Sequence, residues 1–141
     1  MTGSIRVVVP GQPVPKGRPI VTKKGHAYTP KRTREYENLV KDCWMHAGSK
    51  SVGRSPVYMT INLYMKIPKS ESKKKKQQML AGEMPHIKKP DVDNVAKCII
   101  DSLNNLAYDD DSQITQLRVN KMYSDNPRAE IFIMNTEYER F

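Results

Sequence analysis

Hydrophobic and polar residues alternate cleanly over 57–66, with Val57, Met59, Ile61, Leu63 and Met65 on one face and Tyr58, Thr60, Asn62, Tyr64 and Lys66 on the other. A period of two belongs to a pleated strand, so this segment predicts a strand with one buried face, lying inside a sheet. Ile5, Val7 and Val9 repeat the pattern over 5–9 until Pro10-Gly11 breaks it. Two closing strands follow at 114–123 and 129–134, joined by a turn around Ser124-Asp125-Asn126-Pro127.

Elsewhere the period becomes helical. Tyr36, Leu39, Val40, Cys43 and Ala47 recur at helical spacing up to Gly48, and Thr29-Pro30 reads as an N-cap and first helical residue, which gives a helix over 30–47. Ser70 is spaced to cap a short helix running through Lys73–Lys76 to Leu80. From 91 to 106, Val92, Val95, Ala96, Ile99, Leu103 and Leu106 fall on one stripe at about 100° per residue, with Asn94, Lys97, Asp101, Asn104 and Asn105 opposite. The apolar stripe packs and the polar stripe faces a cleft. Pro90 fixes the entry, and Asp91 and Asp93 occupy the helix start. These elements predict an α+β fold, a single domain over 1–141 in which a mixed sheet is covered by helices; a length of 141 residues suits one domain.

Composition narrows the classes of function. No apolar run approaches the roughly 18–20 residues that span a bilayer, and MTGSIRVVVPGQ lacks the long apolar region of a signal peptide, so the expectation is a cytoplasmic chain with no membrane partner. Cys43 and Cys98 have no second Cys or His at metal-ligand spacing and are expected to be reduced core thiols.

The net charge of +9 suits a polyanionic partner, because Lys and Arg that neutralise phosphates release condensed counterions. The distribution says more. Six of the eight aspartates (91, 93, 101, 109, 110 and 111) lie within 91–111 beside one lysine, Lys97, so that stretch carries −5 and the rest of the chain +14. From Lys16 to Arg34 come Lys16, Arg18, Lys23, Lys24, Lys31, Arg32 and Arg34, interleaved with Gly17, Gly25, His26 and Tyr28. Further basic runs stand at Lys73, Lys74, Lys75 and Lys76 and at Lys88-Lys89, directly before the acidic stretch. An acidic pit in a basic surface opposes phosphate binding unless a cation sits between carboxylate and phosphate, and hard oxygen ligands of this kind suit Mg²⁺.

A structural reading competes at each acidic position. Asp91 or Asp93 could cap the helix, worth about 1 kcal/mol, Asp93 could pair with Lys97 at i,i+4, and Asp109 to Asp111 could form a turn. An EF-hand is excluded, since Val95 and Ala96 occupy the fifth and sixth positions from Asp91 where a ligand and a glycine are required. A nucleotidyltransferase-like D-x-D enzyme would want a Gly-rich phosphate loop, which is missing here. A DNA-binding module without catalysis would gain nothing from the acidic pit, and a structural metal protein would not need the positive charge outside it.

The run K-P-D-V-D-N-V-A-K-C-I-I-D-S-L-N-N-L followed by D-D-S-Q resembles the RusA family of Holliday junction resolvases. P-K-G-R-P and A-Y-T-P-K-R-T-R-E-Y-E also resemble phage- and prophage-borne members, so the likeness covers most of the chain. What the resemblance implies is a RusA-like fold and a homodimeric, Mg²⁺-dependent (or Mn²⁺-dependent) endodeoxyribonuclease selective for branched DNA, with no small-molecule substrate. Its metal ligands would be Asp91, Asp93 and the second Asp of D-D-x-Q, here Asp111, with Asp110 as the competing choice. Lys97 matches the family's essential lysine. Asn94, Asp101, Asp110 and Gln113 are expected to support the ligands from behind, and Lys16, Arg18, Lys23, Lys24, Lys31, Arg32, Lys73–Lys76, Lys88 and Lys89 to meet DNA. His26 and His86 are expected beside DNA, and His46 within the first helix. A four-way junction is approximately twofold symmetric, so a C2 dimer with two sites makes paired nicks most simply. Tyr58 and Tyr64, on the outer face of the central strand, are candidates for its interface.

Overall fold

The alternation of 57–66 does form the central strand of the sheet. The computed structural model describes residues 3–135. In chain order its elements are β1 (Gly3–Pro10), β2 (Ile20–Val21), β3 (Ala27–Tyr28), α1 (Lys31–His46), β4 (Val57–Lys66), α2 (Lys73–Leu80), α3 (Val92–Leu103), a single 3₁₀ turn (Asp111–Gln113), β5 (Ile114–Ser124) and β6 (Arg128–Asn135). The fold is α+β. The main sheet has the order β1-β6-β4-β5, with β4 parallel to β5 and antiparallel to β6. β2 and β3 pair separately as a short ribbon.

The two closing strands are not neighbours. β5 and β6 flank β4, and residues 125–127 carry the chain past the end of β4. A parallel pair needs a crossover, and 67–113 supply it with α2 and α3. The acidic segment is therefore part of the connection between two neighbouring strands and must pack on the sheet.

That packing follows the stripe. Val95, Ala96, Cys98, Ile99 and Leu103 are buried with Met59, Ile61, Leu63, Ile131 and Ile133, and α1 closes the same core with Tyr36, Val40 and Trp44. Trp44 and Thr33 extend the buried face of α1 beyond the expected positions, whereas Ala47 is its exposed C-cap. Val92 lies at the exposed start of α3, while Cys98 and Ser102 are buried beside the stripe.

Three boundaries differ for local reasons. α3 stops at Leu103 and not Leu106, because Asn104 turns extended and Asn105 takes φ 64°, the left-handed conformation that Asn tolerates. Ser72, not Ser70, caps α2, its Oγ accepting the Lys75 N–H at 3.2 Å. Pro30 is itself the N-cap of α1 and offers no side-chain acceptor.

On the sheet's other face, Glu130 is buried between Arg128, 2.9 Å away, and Arg6, 3.3 Å away. The Arg128 guanidinium lies 3.8 Å from the Tyr64 ring centroid and covers that side chain. Tyr58 is half-buried next to Met134 in the ladder.

Candidate active site

Asp93, Lys97 and Asp101 stand at i, i+4 and i+8 on α3 and so form one ridge along the helix. The ridge borders a cleft of about 370 Å³ whose floor includes Ala96 and, from β5, Leu117 and Val119; Asp111 lines the same cleft. Asp93, Lys97, Asp101 and Asp111 are thus brought together. Asn94 lies about 100° further round the helix. With Asp91, Lys16, Arg32 and Lys89 it lines an adjoining cleft of about 400 Å³. The D-x-D carboxylates therefore open on neighbouring clefts. Among the described residues, no three of His, Cys, Asp or Glu are gathered into a group that could hold a metal ion.

The acidic residues differ in what their carboxylates bind. Asp91 is the N-cap of α3 but makes no side-chain capping bond, so its carboxylate is not spent on the helix. Lys31–Glu35 and Lys75–Glu71 are the i,i+4 ion pairs among the described residues, and Asp93–Lys97 is not one of them. In the run of three, Asp109 pairs with Arg54 at 3.4 Å. Asp110 caps the 3₁₀ turn by accepting from the Ser112 hydroxyl and, at 3.1 Å, from its N–H. Those bonds from Ser112 hold the Asp110 carboxyl below its usual range. Asp111 alone of the three faces the cleft.

Gln113 fixes this turn. Its Oε1 accepts the Asp110 N–H at 2.8 Å, and its Nε2 donates to Gly53 O at 2.7 Å and Ser55 O at 3.0 Å. The D-D-x-Q spacing is thus a clamp that ties the turn to the loop ahead of β4 and points Asp111 inward.

Lys16, an expected phosphate contact, is held by carboxylates in the structure. Its ammonium lies 3.2 Å from Asp101 and 3.4 Å from Glu37, and its N–H donates to Asn94 O at 2.9 Å. Burial disfavours the charge on Lys16, yet the bonds to Asp101 and Glu37 outweigh that and raise its pKa. It braces the N-terminal loop against α1 and α3. Behind it, Gly17 N–H donates to Thr33 Oγ at 2.9 Å, and a Cβ on Gly17 would lie 2.9 Å from both Pro30 Cγ and Thr33 Oγ. P-K-G-R-P is thereby packed against the start of α1.

The other basic positions are more open. Arg18, Lys23, Lys24, Lys31 and Arg32 are exposed, with Lys23, Lys24 and His26 at the tip of the β2–β3 ribbon, as are Lys73, Lys74, Lys75, Lys88 and Lys89; Lys76 is half-buried. His86 packs on Tyr123 with ring centroids 4.7 Å apart, its Nδ1 is buried without a partner among the described residues, and burial together with Lys121 lowers its pKa. His46 Nδ1 bonds Asp42 O within α1.

A family model described as endodeoxyribonuclease RusA matches residues 10–134. The chain belongs to the RusA family. It is an endodeoxyribonuclease, a hydrolase of phosphodiester bonds, in the family of Holliday junction resolvases, whose members act on branched DNA and generally depend on a divalent metal. The chain is also 38% identical over 134 residues to uncharacterized protein YqaN of Bacillus subtilis (strain 168), covering 92% of this chain and 94% of that protein. No helix among the described residues of this RusA-family chain is long and apolar enough to cross a membrane.

Sequence reasoning missed Glu37 and Arg54, the partners of Lys16 and Asp109, and it missed Lys121. The last donates from β5 to Lys88 O at 2.6 Å and Pro90 O at 2.9 Å. Glu37 sits one helical turn after Thr33, facing the loop, but a pairing across 21 positions leaves no periodic trace.

Proposed function

We propose that the chain is a Mg²⁺-dependent, structure-selective endonuclease that resolves four-way DNA junctions by paired, symmetric nicks. The observation that carries this reading is the cleft in which Asp93, Lys97 and Asp111 meet, within a chain of the RusA endodeoxyribonuclease family. The donor set fits the ion. Asp93 and Asp111 are exposed carboxylates committed to no ion pair among the described residues, and Mg²⁺ typically takes one or two carboxylates and completes its shell with water and phosphate. Asp93 and Asp111 would hold it, while Asp91 opens on the adjoining cleft.

Bound there, a divalent ion supplies a nucleophilic water at neutral pH and neutralises charge on the phosphate. The protein's own groups do the rest. Lys97, one turn beyond Asp93, stabilises negative charge on the phosphorane or positions the water. Gln113 and Asp110 orient Asp111, and Lys16 holds Asp101 and the backbone of Asn94. The exposed cations of the ribbon, Lys23 and Lys24, and those of Arg18, Lys31, Arg32, Lys88 and Lys89 contact DNA phosphates, while Lys73–Lys76 offer a further basic surface. Two chains act together as a homodimer in the cytoplasm, since paired nicks on a twofold substrate need two sites. The sheet face that carries Tyr58 and Met134 is the candidate contact.

Incubating a synthetic four-way junction with the protein, with and without Mg²⁺, tests the reading. The expected products are nicks at symmetry-related positions on opposing strands, formed in Mg²⁺ alone. Unsymmetric cuts, or equal cutting in chelator, would contradict it.

A further inference from the structure

Segment 84–90 joins α2 to the helix that carries Asp93, and among the described residues none of its backbone groups bonds another backbone group. Two side chains of β5 hold it instead. Lys121 Nζ donates to the carbonyls of Lys88 and Pro90 at 2.6 and 2.9 Å, and Tyr123, on the same face of the strand two residues on, packs on His86. No ion pair among the described residues uses Lys121, so its charge is directed at these carbonyls. Bonds from an ammonium are stronger than those from neutral donors. The Pro90 carbonyl belongs to the peptide unit that ends in the Asp91 nitrogen, so holding it fixes the backbone from which Asp91 and Asp93 project.

We propose that Lys121 is a positioning residue for the D-x-D carboxylates, clamping the Lys88–Pro90 entry of α3 onto β5. β5 begins directly after the turn bearing Asp111, so one strand references Asp111 at its start and Asp91 and Asp93 through Lys121. The proposal rests on the nuclease reading above. Lys121 touches neither DNA nor reacting atoms in this role. Its effect is on placement, where an error of about 1 Å can cost on the order of a hundredfold in rate.

The test compares wild type with Lys121→Met, which keeps the chain length and apolar stem but removes the donor, and with Lys121→Arg. Hydrogen–deuterium exchange of the metal-free protein reads the clamp at the amides of 95–97, the first in α3 to be hydrogen-bonded, beginning with Val95 N–H on the Asp91 carbonyl. Single-turnover cleavage of a four-way junction across a Mg²⁺ series reads the consequence, and junction affinity in chelator controls for binding. The Met variant is expected to exchange at least tenfold faster there, to cleave about ten to a hundredfold more slowly with a higher half-saturating Mg²⁺, and to bind the junction within about threefold of wild type. Arg, which retains donors, is expected to recover most of both. Unchanged exchange at 95–97, or faster exchange with wild-type cleavage, would overturn the proposal. If the Met variant does not fold, Lys121→Gln carries the same comparison under the same criteria. A wild-type protein that binds but never cuts the junction refutes the nuclease reading instead, and the exchange comparison still decides whether Lys121 holds the segment.

Discussion

Replacing Lys16 by Met separates a brace from a phosphate contact. In the structure its ammonium neutralises Asp101 and Glu37, whose side chains are 31% and 15% exposed. Stripping the partner from fully buried charges costs about 3–5 kcal/mol. Partial exposure lets water and salt screen the two carboxylates, so the expected loss is about 1–3 kcal/mol. With unfolding entropy of roughly 2.1 cal/mol/K per residue, a chain of 141 residues has about 0.3 kcal/mol/K, and Tm should fall by about 3–10 °C. The pH dependence has a definite sign. Because folding raises the Lys16 pKa above the ordinary 10.5, its contribution is fully present below that value and is lost as pH rises through the folded pKa. The gap between wild type and Lys16→Met should thus be constant from pH 7 to about 9 and close under stronger alkali. Thermal melts across that range and junction binding across a salt series are the assays. The slope of log affinity against log salt should be unchanged, because no phosphate contact is lost. A slope shallower by about 0.9 at unaltered Tm would refute the brace and return Lys16 to the DNA surface.

Lys23→Ala and Lys24→Ala, at the exposed ribbon tip, are expected each to flatten that salt slope by about 0.9 with no change in Tm, as filter binding or anisotropy would show. Gly17→Ala forces a Cβ to 2.9 Å from Pro30 and Thr33 and should cost about 1–3 kcal/mol in chemical denaturation. Asp110→Asn preserves a capping acceptor and should leave cleavage near wild type, whereas Asp111→Asn should abolish cleavage without lowering Tm; gel assays of the two variants decide which of the pair serves the metal.

What the sequence made legible was whatever repeats with a period. The strand at 57–66 was exact, and the apolar stripe of α3 located the helix that carries Asp93, Lys97 and Asp101 on one ridge. The family followed from the spacing of D-x-D-N, Lys97 and D-D-x-Q. Topology was not legible, because nothing in 114–134 distinguishes a hairpin from two strands that straddle β4. The end of α3 was overrun because Leu106 keeps the phase of the stripe while the left-handed Asn105 breaks the backbone. Side-chain partners were not legible where a charge had a choice of them. A basic loop reads as a DNA surface throughout, yet Lys16 turns inward to Glu37 and Asp101, a choice set by the packing of Gly17 on Thr33. Three consecutive aspartates look equivalent until Arg54, Ser112 and the cleft divide them.

The most direct test of the central claim is the rate at which Asp93→Asn nicks a four-way junction in Mg²⁺, measured beside its junction affinity. Asn replaces Asp at the start of a helix at nearly equal stability, but its amide is a poor ligand for a hard cation, and it removes a negative charge that faces phosphate. Loss of cleavage is expected, with junction binding retained or tightened a few-fold. A folded Asp93→Asn protein that binds the junction and nicks it at near wild-type rate would contradict it.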